Sequence, residues 1–244
     1  MNRKKVTLIS NLCIAVVLIG LGTAVFTADI TNLFIAVSAP ITNGDRAGER
    51  VSLVFVVEDD SRYLNDTIAL LKRTNTPATF FIGGDWASKH RDKVIEIARD
   101  FEIGNHAYNN KSLEKLPEKT QYGEIANCHA MIKTITSATP VSTNTSEITG
   151  VERNDGVTMN FFLPPNNSFN KKTLRAAESL GYRTIMCSRD ATSGVIFDRA
   201  VGGICGGDYV LLKPNLSTYA TLQNILLAYQ SKHLEIVKVS DNII

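Results

Sequence analysis

The chain has 244 residues, 44% hydrophobic and 20% charged, with 26 basic against 24 acidic side chains, seven prolines and four cysteines. These values lie near globular averages and exclude a collagen, a coiled coil, wholesale disorder and a disulfide scaffold. A net charge of +2 gives no electrostatic reason to expect nucleic acid, whose binders carry a basic excess on one face.

Residues 1–5 form a basic stub with Arg3, Lys4 and Lys5, and residues 6–28 carry no charge over 23 positions. At 1.5 Å per helical residue that run spans about 34 Å, enough for a hydrocarbon core of about 30 Å. It reads as a transmembrane helix. The basic stub before it puts the N-terminus in the cytoplasm and the chain after Asp29 outside. A cleaved signal peptide is the alternative, with Gly22, Thr23 and Ala24 as its small-residue site, although the apolar run continues through Val25 and Phe26. Cys128, Cys187 and Cys205 lie beyond the run without metal-ribbon spacing, and read as free thiols. A Cys187–Cys205 bridge is the alternative.

Residues 29–50 read as a polar, Gly-containing linker. From Val51 to Val57 the sequence is apolar and β-branched without a break, the pattern of a strand buried on both faces. Leu64, Ile68 and Leu71 give a helix over 64–74, and residues 78–82 a second strand ended by Gly83 and Gly84. A helix over 86–100 is followed by a short extended piece at 101–103. In the helix predicted over 118–135, Ile125, Cys128, Ile132 and Ile135 form the buried stripe. Nine of the sixteen residues from Thr134 to Thr149 are Ser or Thr. Such a stretch cannot offset its ordering entropy, so a surface insertion is expected at about 136–150.

A strand over 158–163 runs into Pro164 and Pro165, and a helix over 170–180 starts at the N-cap Asn170 and stops at Gly181. A strand follows over 182–187. The Gly-rich stretch 202–207 precedes a strand rather than opening a helix, so it reads as a flexible turn and not a phosphate loop. Then come a strand over 209–213, a helix over 218–231 and a last strand over 234–239. Strands alternating with helices of ten to fifteen residues argue for a parallel sheet, either an open α/β sheet or a β/α barrel. In both, ligands bind at the C-terminal ends of the strands.

At those ends the chain resembles the polysaccharide deacetylases of the NodB-homology domain, carbohydrate esterase family 4. The resemblance rests on Pro77 to Ile82, Glu102 to His106, Phe162 to Pro165 with Asn170 to Leu174 and Ala177 to Tyr182, and Gly207 to Leu212, in order over about 51–240. It implies a distorted (β/α) barrel over 51–244. It also implies a divalent metal, commonly zinc, held by one Asp and two His, a second Asp as general base and a later His as general acid.

The matching positions depart from that chemistry. The family's Asp-Asp-Gly falls on Val56, Val57 and Glu58, and valine neither binds a metal nor accepts a proton. The first metal histidine is kept as His106, but its partner position is Asn110. The acid histidine is Lys213, the motif arginine is Leu163, and Tyr-Gly after the prolines is Asn166 and Asn167. Pro164, Pro165, Asn166 and Asp190 are the candidate substrate-binding residues. For His106 two readings stand: a weak metal site rebuilt from His106, Asn110 and one of Glu58, Asp59 or Asp60 after a slip or bulge of the first strand, or a buried histidine bonded to a loop backbone.

The expectation is an anchored, extracytoplasmic domain of a bacterial cell membrane that has lost metal-dependent catalysis. It needs no cofactor, and its partners are cell-wall glycan or a membrane-associated protein. The alternative is a divergent, working deacetylase that removes acetyl groups from peptidoglycan or chitin-like glycans with zinc or another divalent metal. The resemblance also allows a role in peptidoglycan processing or spore formation, where family relatives with such anchors often act.

Overall fold

The computed structural model describes residues 14–16, 38–59, 62–137 and 156–243. The expected anchor at 6–28 thus lies outside the described residues apart from Ile14 to Val16, which are helical, and the insertion at about 136–150 lies outside them beyond Ser137. Among the described residues no helix is long and apolar enough to cross a membrane. The chain divides into two units, Met1–Val37 and Ser38–Ile244.

The second unit is built on a parallel sheet of eight strands: β1 Arg50–Val57, β2 Thr79–Ile82, β3 Glu102–Asn105, β4 Phe161–Phe162, β5 Arg183–Thr184, β6 Arg189–Asp190, β7 Tyr209–Leu212 and β8 Glu235–Ile236. Their order is β5-β4-β3-β2-β1-β7-β6, with β8 paired to the start of β1. The helices are α1 Leu64–Arg73, α2 Gly84–Lys89, α3 Arg91–Asp100, α4 Glu118–Ser137, α5 Lys171–Ser179, α6 Ile196–Val201, α7 Leu216–Ser231 and α8 Val239–Asn242.

Successive side chains of a strand point to opposite faces, and here both faces are apolar. Leu53, Phe55 and Val57 of β1 pack with Phe80, Ile82, Val210 and Leu212 beneath the helices, forming the outer core. Val54 and Val56 join Phe81, Phe161, Leu163, Ile185, Tyr209 and Leu211 in a second, inner cluster. That inner cluster fills the concave side of a curled half-barrel. Gly104 faces it from β3, and a Cβ there would lie 2.3 Å from the Phe81 ring. The expected β/α architecture is therefore present as an open, curled sheet.

Several boundaries differ from expectation. The extended piece at 101–103 is β3, and the helix expected over 86–100 breaks at His90 (φ −128°, ψ 47°) into α2 and α3. The strands expected over 158–163, 182–187 and 234–239 shrink to two residues each, while β6, α6 and α8 are additional. Met159, Phe161 and Leu163 stay buried, and Leu163 N–H still donates to Asn105 O of β3, so burial and backbone pairing both continue past the two residues of β4.

One reading of flexible chain, the Gly-rich turn, is corrected, and part of the expected linker is ordered. Residues 38–49, within the expected linker, are stitched to the sheet: Ile41 N–H donates to Thr184 O, Met186 N–H to Ile41 O and Gly44 N–H to Gly207 O. The Gly-rich stretch 202–207 receives this strap. A Cβ on Gly206 would lie 1.7 Å from the Gly48 carbonyl oxygen, an approach only glycine permits. Asp208, 2% exposed, completes the seam by accepting from Arg46 at 2.6 Å, Ser188 Oγ at 2.8 Å and Cys205 N–H at 3.1 Å. Burial alone would raise the Asp208 carboxyl, but the Cys205 N–H, the Ser188 hydroxyl and the Arg46 guanidinium outweigh it and hold it below the usual carboxylate range. The three described cysteines are free thiols.

Gly206→Ala is expected to cost about 2 kcal/mol, because its new methyl meets backbone that cannot turn aside. Gly123, inside α4 with nothing near a built Cβ, is the control, since Gly123→Ala should add about 0.5–1 kcal/mol. Urea midpoints measure both, and a neutral Gly206→Ala would overturn the packing account.

Candidate functional site

The site lies at the C-terminal ends of the strands, in a cavity of about 250 Å³ lined by Val56, Glu58, His106, Leu163, Pro164, Asn166, Asn167, Asp190, Thr192, Leu211 and Lys213. Each strand end supplies its residue for a local reason. Asn105, fully buried at the end of β3, donates its Nδ2 to Ile125 O at 2.9 Å and accepts Ala107 N–H at 2.8 Å. That bond holds Ala107 in the left-handed region (φ 60°) and turns His106 inward. The Glu124 carboxylate of α4 fixes the next turn by accepting Asn109 N–H at 2.8 Å and its Nδ2 at 2.9 Å.

His106 is 4% exposed, and its Nδ1 lies 2.7 Å from Leu163 O. A carbonyl only accepts, so Nδ1 carries the proton and Nε2 faces the cavity. There it meets Glu58 Oε2 at 3.4 Å. The other carboxylate oxygen, Oε1, accepts from Lys213 Nζ, and Asp59 Oδ2 lies 3.9 Å from the same ammonium. Burial would push the Glu58 carboxyl up, but the hydrogen bonds and charges of His106 and Lys213 override it and hold the group at about 2. The Glu58 side chain is only 7% exposed.

Val56 lines the cavity from β1, while Val57, on the opposite face, belongs to the outer core. The second position of the family's Asp-Asp pair is therefore turned away from the site. Glu58 reaches His106 with β1 and β2 in plain register, Val56 opposite Phe81 and Val57 opposite Ile82, so neither slip nor bulge is needed. Asp60 lies outside the described residues. Asn110 is not among the cavity's lining residues, and its Oδ1 accepts from Asn166 Nδ2 at 2.9 Å on the rim. Pro165 is buried in a short turn in which Asn166 and Asn167 both adopt positive φ, 55° and 54°. Asp190 is exposed at the cavity edge and accepts from Thr192 N–H and Oγ1 at 2.9 and 2.6 Å.

The donor set does not fit the family's metal. One imidazole and one carboxylate converge, the carboxylate is already bonded to an ammonium, and among the described residues no group of three His, Cys, Asp or Glu could hold an ion. Reasoning along the sequence missed the Glu58–Lys213 pair. Its signal lies in the pairing of β1 with β7, which brings residues 58 and 213, each just beyond its strand, to the same end of the sheet. His129, without metal partners in the sequence, lies 2.5 Å by Nδ1 from the Tyr182 hydroxyl, which itself accepts from Asn105 Nδ2 at 3.1 Å. It belongs to the support of β3 rather than to the cavity.

Comparison with known proteins agrees with this architecture. The polysaccharide deacetylase family model matches residues 44–185. An uncharacterized Bacillus subtilis protein, YlxY, is 25% identical over 200 residues, 79% of this chain and 57% of its own length. Peptidoglycan-N-acetylglucosamine deacetylase PgdA of Listeria monocytogenes is 22% identical over 84% of this chain and 41% of its own. The chain thus spans about half the length of these curated relatives. Among solved structures, wild-type BA3943 of Bacillus anthracis, a CE4 family pseudoenzyme, superposes with a TM-score of 0.72 at 22% identity, over 84% of this chain and 68% of that one. A BA3943 mutant with restored enzymatic activity superposes equally well. At that identity the likeness shows the fold.

Proposed function

The chain belongs to the polysaccharide deacetylase family, and from that premise we propose that it binds cell-wall glycan in the family's groove without hydrolysing it. Deacetylation needs a base that takes a proton from water and an electrophile that polarises the acetamide carbonyl. Val56 supplies neither, and Lys213 is engaged with Glu58. The carrying observation is that the one buried carboxylate left in the cavity is already held by the Lys213 ammonium, with the His106 imidazole fixed beside it by the Leu163 carbonyl. The uncharged run at 6–28 supports an extracytoplasmic domain tethered to a bacterial membrane. The pseudoenzyme BA3943 is a precedent for a member of this fold without activity.

A divergent, working deacetylase is the second reading, favoured by the carboxylate of Glu58 beside His106. The test is acetate release from N-acetylglucosamine oligomers and from peptidoglycan by the full chain, with zinc added, alongside co-sedimentation with purified peptidoglycan. Retention on peptidoglycan with acetate at the level of the protein-free control is expected. Acetate production that disappears in a Glu58→Gln variant would establish the second reading instead.

A further inference from the structure

Two side chains that converge from neighbouring elements on one point, an imidazole nitrogen from beyond β3 and a carboxylate from beyond β1, have the form of a partial metal site. What they meet is not solvent. Strand β7, hydrogen-bonded to β1, carries Lys213 just past its end, and the ammonium sits on Glu58 Oε1 with Asp59 Oδ2 3.9 Å away. The imidazole is held by the Leu163 carbonyl on its far side, so it cannot swing away from the carboxylate.

We propose that Lys213 is the resident cation of this cavity, a covalently tethered ammonium in place of the exchangeable divalent metal that the fold otherwise uses. The inference deepens the functional reading and rests on it. An ammonium neutralises the buried carboxylate and leaves a hydrogen-bond donor facing the cavity, because it has three protons and Glu58 takes one. It is coordinatively closed and has no empty orbital, so it can hold a ligand's oxygen without polarising a carbonyl as a metal does. It also repels a second cation at short range, which makes the cavity metal-excluding rather than merely poor in ligands.

The test is a zinc titration of the full-length chain in detergent, followed by calorimetry and by the rise in melting temperature. Wild type should bind zinc at least ten-fold more weakly than Lys213→Met, in which Glu58 and His106 are uncovered. The Met variant should gain a zinc-dependent rise in melting temperature that a further His106→Ala change removes. Lys213→Arg, which keeps the charge, should exclude zinc as wild type does. One tight equivalent in the wild type overturns the proposal whether or not the Met variant folds. So does a folded Met variant that takes up no more zinc than wild type. A wild type that excludes zinc yet releases acetate would sink the functional reading alone. One that binds zinc tightly and releases no acetate would sink only the assignment of Lys213.

Discussion

Val57→Asp is expected to destabilise the domain by about 4 kcal/mol, while Val56→Asp, one position earlier, should cost about 1–2 kcal/mol. The contrast follows from strand alternation. Val57 is 1% exposed in the outer core with Phe55, Ile82 and Leu212, where a carboxylate would have neither water nor a cationic partner. Val56 is nearly as buried but belongs to a cavity wall that also carries Lys213 and His106. A carboxylate there can reach charged neighbours. Urea unfolding of the two variants decides it, and equal costs would mean that β1 does not present these residues to opposite faces.

The result bears on rebuilding activity. A straightforward return to the family motif would place a carboxylate at both positions, and the second would be buried among hydrocarbon. Retaining Glu58 as the carboxylate and changing only Val56→Asp, Asn110→His and Lys213→His avoids that buried charge. It should bind zinc more tightly than the same set with Val57→Asp added.

Glu58→Gln carries the second large effect. The fall of the Glu58 carboxyl from 4.5 to about 2 corresponds to about 3 kcal/mol before solvent screening. Because the Lys213 side chain is 38% exposed, solvent screens part of this, and a loss of about 2 kcal/mol at pH 7 is expected. The sign is fixed by linkage. The folded-state value lies below the unfolded one, so the contribution is complete above pH 4.5 and disappears as the pH falls towards 2. Wild type should therefore lose stability through that window by more than Glu58→Gln does. Parallel acid titrations of the two proteins, followed by circular dichroism, would contradict the account if the curves kept a constant separation.

Much of the fold is legible in the sequence because its central strands are buried on both faces. The unbroken apolar run of β1 and the apolar residues of β2 and β7 need no tertiary information to be read as strands. The margins are not legible. β6, only Arg189 and Asp190, has no apolar pattern, and its place is set by pairing with Val210 and Leu211. At the site, the family motif locates Val56, His106 and Lys213, but counting along the motif does not reveal that Val57 faces outward. Nor does it show that Glu58, at the position of a family glycine, takes up the space towards His106. Those facts depend on the pleat and on which strand lies beside which. The strap at 38–49 is hidden for another reason: it is polar and irregular, and it is ordered by backbone bonds to glycines that local pattern alone marks as mobile.

The strap also brings together the two ends of the described domain. Asp45 N–H donates to Asn242 O, a Cβ on Gly44 would lie 2.0 Å from that same oxygen, and Arg50 Nη1 donates to Asp241 O at 3.2 Å. Tension applied between these ends would be borne first by this pair of surface segments, peeling them apart one bond at a time, and would reach the ladder of the central strands only afterwards. Residues 44–50 and 241–242 thus act as one structural margin of the domain, although nearly two hundred positions separate them in the chain.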